Sequence, residues 1–243
     1  MTLPSPPPPA ADRTSEWFVP SVGPPRFRTF VGMLFLPYTG MVLSYVTIGS
    51  MLAPRVHWDR WAAIVLVYFL GLGVAAHALD ALGSRGPKPW GSVFSRRQLW
   101  ILALAALAGA YGVAAYYMVR HVPWLWPVAV LEGFFVFAYN LEWFDGRFHT
   151  DRWFAFSWGF LPVLAGFIVQ TNGLSAQACV VAASMALFSR VEIQASRPYK
   201  RLKRRACALD AEEVEWMGRY EAILKAVSLG VILLGVGLLL PAG

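Results

Sequence analysis

A chain of 243 residues that is 57% apolar and only 14% charged has too little polar surface to cover a water-soluble globule, which excludes an ordinary soluble domain. The net charge of +7 comes with no nucleic-acid-binding motif, so no nucleic acid is expected as a partner; membrane topology and anionic headgroups account for the basic excess. Cys179 lies in an apolar stretch and Cys207 in a polar one, a pair with neither a disulfide framework nor a metal-ligand spacing.

Residues 1–28 are rich in proline (Pro4, Pro6 to Pro9, Pro20, Pro24, Pro25) and contain no apolar signal core, so they read as an irregular cytoplasmic tail. Residues 29–243 read as one all-α transmembrane domain. A bilayer core of ~30 Å needs about 20 helical residues. On that measure the first span is 29–53, with a kink expected at Pro37 and Gly40; the second is 61–82 and the third 98–119. The fourth is 124–142, with Glu132 near its middle. The charge-free stretch 153–189 is long enough for two helices joined by an outer turn at Gln170 to Gly173, and the seventh span is 220–240. Tryptophans such as Trp58, Trp124, Trp143 and Trp153 fall near expected helix ends, where amphipathic rings anchor at the interface.

Seven spans cut the chain into eight polar segments, and 17 of the 21 basic residues lie in alternate ones. Arg13, Arg26 and Arg28 are in the tail; Arg85, Lys88, Arg96 and Arg97 follow the second span; Arg147 and Arg152 follow the fourth. Arg190, Arg197, Lys200, Arg201, Lys203, Arg204, Arg205 and Arg219 follow the sixth. The opposite segments hold Arg55, Arg60 and Arg120, with Lys225 inside the last span. The positive-inside rule then sets the N-terminus in the cytoplasm and the C-terminus outside.

Spans two, four and six would all end on the cytoplasmic face, where polar chemistry is densest. His77 and Asp80 end the second, Asn140, Glu142 and Asp145 the fourth, and Arg190, Glu192 and Gln194 the sixth. His77 and Asp80 are three apart and share a helical face. Packed together, these ends would line one polar mouth above an apolar cavity.

Here the sequence resembles the UbiA superfamily of intramembrane prenyltransferases. In that family an Asn-Asp-x-x-Asp-x-x-x-Asp motif ends the second helix and a basic loop follows. This chain has His77-Ala78-Leu79-Asp80, then Arg85-Gly86-Pro87-Lys88-Pro89-Trp90-Gly91-Ser92. Leu36-Pro37, Tyr139-Asn140 and the run from Trp158 to Gly166 add to the likeness, which covers roughly 27–205. With Asp80 on the family's middle Asp, Ala76, His77 and Ser84 take the Asn, first Asp and last Asp positions; the second family motif, Asp-x-x-x-Asp, is met only by Glu192 and Ser196. Family members typically have nine helices.

The resemblance implies a UbiA-like membrane prenyltransferase moving an isoprenoid group from a prenyl diphosphate to a lipid-soluble acceptor. Asp80 and Glu192 would hold Mg²⁺, and Glu142 or Asp145 would act as base. His77, Asn140 and Gln194 would line the substrate site, while Arg85, Lys88 and Arg190 would bind phosphate. The missing motif residues point equally to a non-catalytic relative that binds an isoprenoid, quinone or carotenoid, or serves as a subunit of a membrane complex. A transporter using Glu132 is a third reading.

Overall fold

The computed structural model describes residues 13–83, 93–205 and 209–241, and among them every regular element is helical. Five helices are long and apolar enough to cross a membrane: Trp58–Gly83, Arg96–Arg120, Asp151–Thr171, Ala176–Arg204 and Ala211–Gly237. The bent pair Pro25–Met33 (α1) and Leu36–Met51 (α2), 41° apart, makes a sixth candidate. The chain is a multi-pass membrane protein.

The break in the first span falls where the proline is. Pro37 sits in the first turn of α2, Phe35 takes a left-handed backbone (φ 48°), and the Thr39 hydroxyl donates to the Leu34 carbonyl at 2.6 Å, satisfying an acceptor left open by the break. The second span comprises α3 (Trp58–Tyr68), a widened π-helical stretch Phe69–Ala76, and α4 (His77–Gly83). Arg96–Arg120 is α5, which a reciprocal Ser95–Gln98 capping box starts.

The fourth span is shorter than expected. It is only α6, Trp126–Asn140, fifteen residues long. At 1.5 Å per residue it reaches ~22 Å, short of a ~30 Å hydrocarbon core. A 3₁₀ turn at Pro123–Leu125 delays its start, and left-handed backbone at Glu142, Phe144 and Asp145 carries the chain away at its end. Among the described residues five or six helices therefore meet the spanning criteria, short of the seven expected.

The stretch 153–189 does divide in two. Asp151–Ala155 (α7), a π-helical turn Phe156–Phe160 and Leu161–Thr171 (α8) form one rod, and Ala176–Arg204 (α9) the next. The turn uses a left-handed Asn172 and a Ser175 cap. α9 does not stop with its apolar residues near 189 but continues to Arg204, so Arg190, Arg197, Lys200, Arg201, Lys203 and Arg204 are helical, not loop, residues. Charges end a membrane-compatible stretch without ending a helix. Ala211–Gly237 is α10, capped by Asp210 and Glu213 well before the expected start at 220.

The rod α7–α8 is the hub. Of its most apolar window 83% is buried, against 22% for α10. α2 packs most extensively on α8, and Gly49 and Gly166 make this possible: a Cβ on Gly49 would collide with the Val163 carbonyl, and one on Gly166 with the Val46 carbonyl. At the end away from the arginine-rich half of α9, Gln170 Oε1 accepts from the His57 amide at 2.7 Å, Gln170 Nε2 donates to the His57 carbonyl at 3.3 Å, and Arg60 Nη1 donates to the Gln170 carbonyl at 3.3 Å. The tail is anchored from its described start: Glu16 is buried, accepting from the Tyr199 hydroxyl at 2.9 Å and Lys203 Nζ at 3.3 Å.

Candidate functional site

At the basic end the expected polar mouth is packed with rings. His77, at the start of α4, has its imidazole 5.8 Å from the Phe35 ring and 5.3 Å from the Trp158 ring. Trp158 stacks on Phe154 at 5.3 Å, and Phe154 meets Tyr38 at 5.8 Å. These rings come from the α1–α2 break and the α7–α8 rod, and they close the space beneath the helix ends.

Glu192 on α9 is inside this packing, 1% exposed, with its Oε2 lacking a hydrogen-bond partner. The space around it is small. A cavity of about 20 Å³ lies on the side of Tyr38, Ser196 and Lys200, and essentially none (about 0 Å³) on the side of Tyr45, Phe154, Trp158 and Ser189. Next to it, the Ser189 hydroxyl donates to the Tyr45 hydroxyl at 3.2 Å.

The other residues expected at the mouth go elsewhere. Asp80 lines neither cavity; it is half-buried on α4, within electrostatic reach of Tyr139. Asn140 is buried, but its Nδ2 donates to the Val136 carbonyl of its own helix at 2.8 Å. Glu142 and Asp145 lie in the left-handed turn after α6, Asp145 exposed; Arg190 and Gln194 are exposed on α9. Ser84, Arg85, Lys88 and Cys207 lie outside the described residues. No group of three His, Cys, Asp or Glu side chains able to hold a metal ion occurs among the described residues. A Mg²⁺ ion asks for about six oxygens in an octahedron, and the small cavity at Glu192 does not fit it: the other carboxylate lining it, Glu16, is held by Tyr199 and Lys203, and Lys200 brings a positive charge.

Glu132, a half-buried carboxylate, has a different setting. Glu132, in the middle of α6, accepts a hydrogen bond from the Tyr68 hydroxyl at Oε1, 2.9 Å, while its Oε2 is enclosed and has no partner. It borders a cavity of about 60 Å³ lined almost wholly by apolar side chains, among them Ile64, Leu72, Leu107, Ala114, Val128 and Val136. Three features hold this geometry. Tyr68 closes α3 just before the π-helical widening, and Gly71 in that widening presents no side chain, with open space where a Cβ would be. Tyr111 of α5 donates to the Ala129 carbonyl at 2.7 Å and packs so closely on Gly133 that a Cβ there would strike its hydroxyl. Ala165 of α8 also lines the cavity. Gly71, Tyr111, Glu132 and Gly133 are all partly exposed on the outside of the bundle, so the pocket opens sideways.

A carboxylate oxygen facing an apolar pocket can accept one hydrogen bond from a ligand that is otherwise hydrophobic. Sequence alone singles out Glu132, as a mid-span charge, but not its partner Tyr68 or the gate at Tyr111. The usable signal was an isolated tyrosine hydroxyl at comparable depth in a neighbouring apolar span. Searches for a matching protein family, characterised protein or solved structure find no match for this chain.

Proposed function

We propose that the protein binds an isoprenoid-type lipid within the membrane and does not transfer a prenyl group. The observation that supports this reading is the contrast in space: the buried carboxylate at the basic end adjoins about 20 Å³, while Glu132, whose Oε2 has no hydrogen-bond partner, lines an apolar pocket of about 60 Å³ open at the side of the bundle. The matching ligand is mostly hydrocarbon and carries one hydroxyl at its head, as a prenol, a quinol or a hydroxylated carotenoid does. Its head would donate to Glu132 Oε2, and its chain would leave between Gly71 and Tyr111 into lipid. A pocket of this size takes the head alone, so the length of the chain is left to the bilayer.

In this reading the N-terminus is cytoplasmic and the basic end faces the cytoplasm, following the distribution of Lys and Arg. The prenyltransferase reading needs Asp80 and Glu192 to share a Mg²⁺ ion and a chamber holding two substrates, and the rings around Glu192 oppose it.

The test is turnover beside ligand retention. Purified protein is incubated with radiolabelled prenyl diphosphates and membrane lipid extract, with and without Mg²⁺, and its bound lipids are identified by mass spectrometry. The expected result is no labelled product and an isoprenoid lipid that co-purifies. Mg²⁺-dependent product lost in Asp80→Ala would replace this reading with the transferase.

A further inference from the structure

On the outside of the basic end, α7 and α9 bound an open cleft of about 750 Å³ lined by His149, Thr150, Asp151, Arg152, Trp153, Phe156, Arg190 and Arg197. Three guanidiniums meet there. Arg152 comes from α7, while Arg190 and Arg197, seven residues apart, project from one face of α9. Only Arg197 is neutralised: its Nε lies 3.0 Å from Asp151 Oδ1, an ion pair whose angle misses hydrogen-bond geometry, and its Nη2 donates to the His149 carbonyl at 3.4 Å. Among the described residues Arg152 and Arg190 have no carboxylate partner.

The wall of the cleft is built rather than incidental. His149 stacks on Tyr139 at 4.4 Å, and its Nδ1 lies 3.0 Å from the Tyr139 carbonyl, which requires that nitrogen to carry a proton and fixes the ring. The Thr150 hydroxyl caps α7. Three guanidiniums against one carboxylate leave two positive charges facing a common space, an arrangement that repels itself when empty and is relieved by an anion with several oxygens.

Phosphate is the anion whose oxygens match such forks. What favours a lipid as its source is the apolar surround. Trp153 and Phe156 line the cleft, the neighbouring Trp143 and Phe144 are 44% and 63% exposed, and Leu187, one turn from Arg190 toward the membrane on the same side of α9, is 63% exposed. A phosphate seated among the arginines would leave its acyl chains against Leu187 and the outer surface of α9.

We propose that this cleft binds the phosphate of an anionic phospholipid headgroup, independently of any ligand at Glu132. The test uses the full chain in nanodiscs of phosphatidylcholine alone or with phosphatidylglycerol, and in phosphatidylcholine nanodiscs with inorganic phosphate added. Phosphatidylglycerol retention is read by native mass spectrometry and protein stability by thermal unfolding. Phosphatidylglycerol is expected to be retained and to raise Tm, with retention falling about tenfold or more in the Arg152→Gln/Arg190→Gln double variant, the loss expected for two charge-assisted contacts. Arg201→Gln, on α9 outside the cleft, should retain the lipid as the unmodified protein does. If the double variant does not fold, Arg190→Gln alone, an exposed position without a partner, carries the test. Equal retention in variant and parent overturns the proposal. A Tm rise with inorganic phosphate as large as with phosphatidylglycerol overturns the lipid assignment and gives the cleft to a soluble phosphate ester.

Discussion

Glu132, half-buried, and Glu192, buried, are both carboxylates in a membrane bundle, each with an Oε2 that has no hydrogen-bond partner, yet they sit in opposite kinds of surroundings. Around Glu192, Tyr38, Tyr45, Phe154 and Trp158 fill the volume and Lys200 supplies a nearby positive charge. Around Glu132, one tyrosine supplies one hydrogen bond and the side chain borders a cavity. An orphaned polar atom costs free energy in either place. Only where space adjoins it can a ligand relieve that cost, so the same residue type marks a packing position in one region and a binding position in the other.

The largest effect should come from the wall between the two regions. α2 and α8 form it, with Tyr45 of α2 lining the space at Glu192 and Ala165 of α8 lining the pocket at Glu132. Gly166→Val forces a side chain into the Val46 carbonyl and should cost ~3 kcal/mol, the upper range for overpacking, read as a fall in Tm in detergent together with loss of co-purified lipid. A variant that kept its Tm would show that the two helices do not touch as described.

Next in size, Tyr68→Phe strips the hydrogen bond at Oε1 from Glu132 and should destabilise by about 1–3 kcal/mol, the cost of leaving a buried acceptor unpaired. Glu132→Leu should lower isoprenoid retention several-fold, up to about tenfold, since a typical hydrogen bond is worth a net of roughly 0.5–1.5 kcal/mol, while leaving the fold intact. On the other side of the comparison, Glu192→Met should leave lipid retention unchanged and shift stability by no more than ~1 kcal/mol, upward if at all, because a buried polar group without good partners is readily replaced by an apolar chain of similar volume. If Glu192→Met lost the lipid and Glu132→Leu kept it, the two roles would be reversed. The smallest effects belong to Asp145→Ala and Gln194→Ala, both exposed, which should fall within ±0.5 kcal/mol and leave retention untouched.

Much of the bundle was readable from hydropathy and from Pro37. The break between α1 and α2, the division of 153–189 and the aromatic helix ends follow from local chemistry. The reach of α9 to Arg204 did not, because a span boundary is set by polarity and a helix boundary by capping, and hydropathy reports only the first. α6 fell short because Pro123 and the left-handed turn at Glu142 trim an apolar run that counts as long enough.

At the candidate site the sequence placed His77 and Asp80 near the end of their helix, but it put Arg190, Glu192 and Gln194 at a helix end that in fact lies at Arg204, and it carried nothing of the volume between them. The Phe35–Tyr38 pair, His77 and Trp158 are far apart in the chain, and nothing in the spacing of any one segment announces that their rings fill a common space. The pocket at Glu132 likewise depends on Tyr68, Tyr111 and Ala165 from three separate rods. Periodicity reports a residue's face, not what packs against it.

The most direct measurement is photo-crosslinking of the purified protein with an isoprenoid alcohol bearing a photoreactive group near its hydroxyl, followed by peptide mapping. Labelling should fall on the peptides containing Tyr68, Tyr111 and Glu132, and should disappear in Glu132→Leu. Labelling concentrated on the peptides of Tyr45, Trp158 and Glu192 would contradict the account, placing the ligand in the region described here as filled.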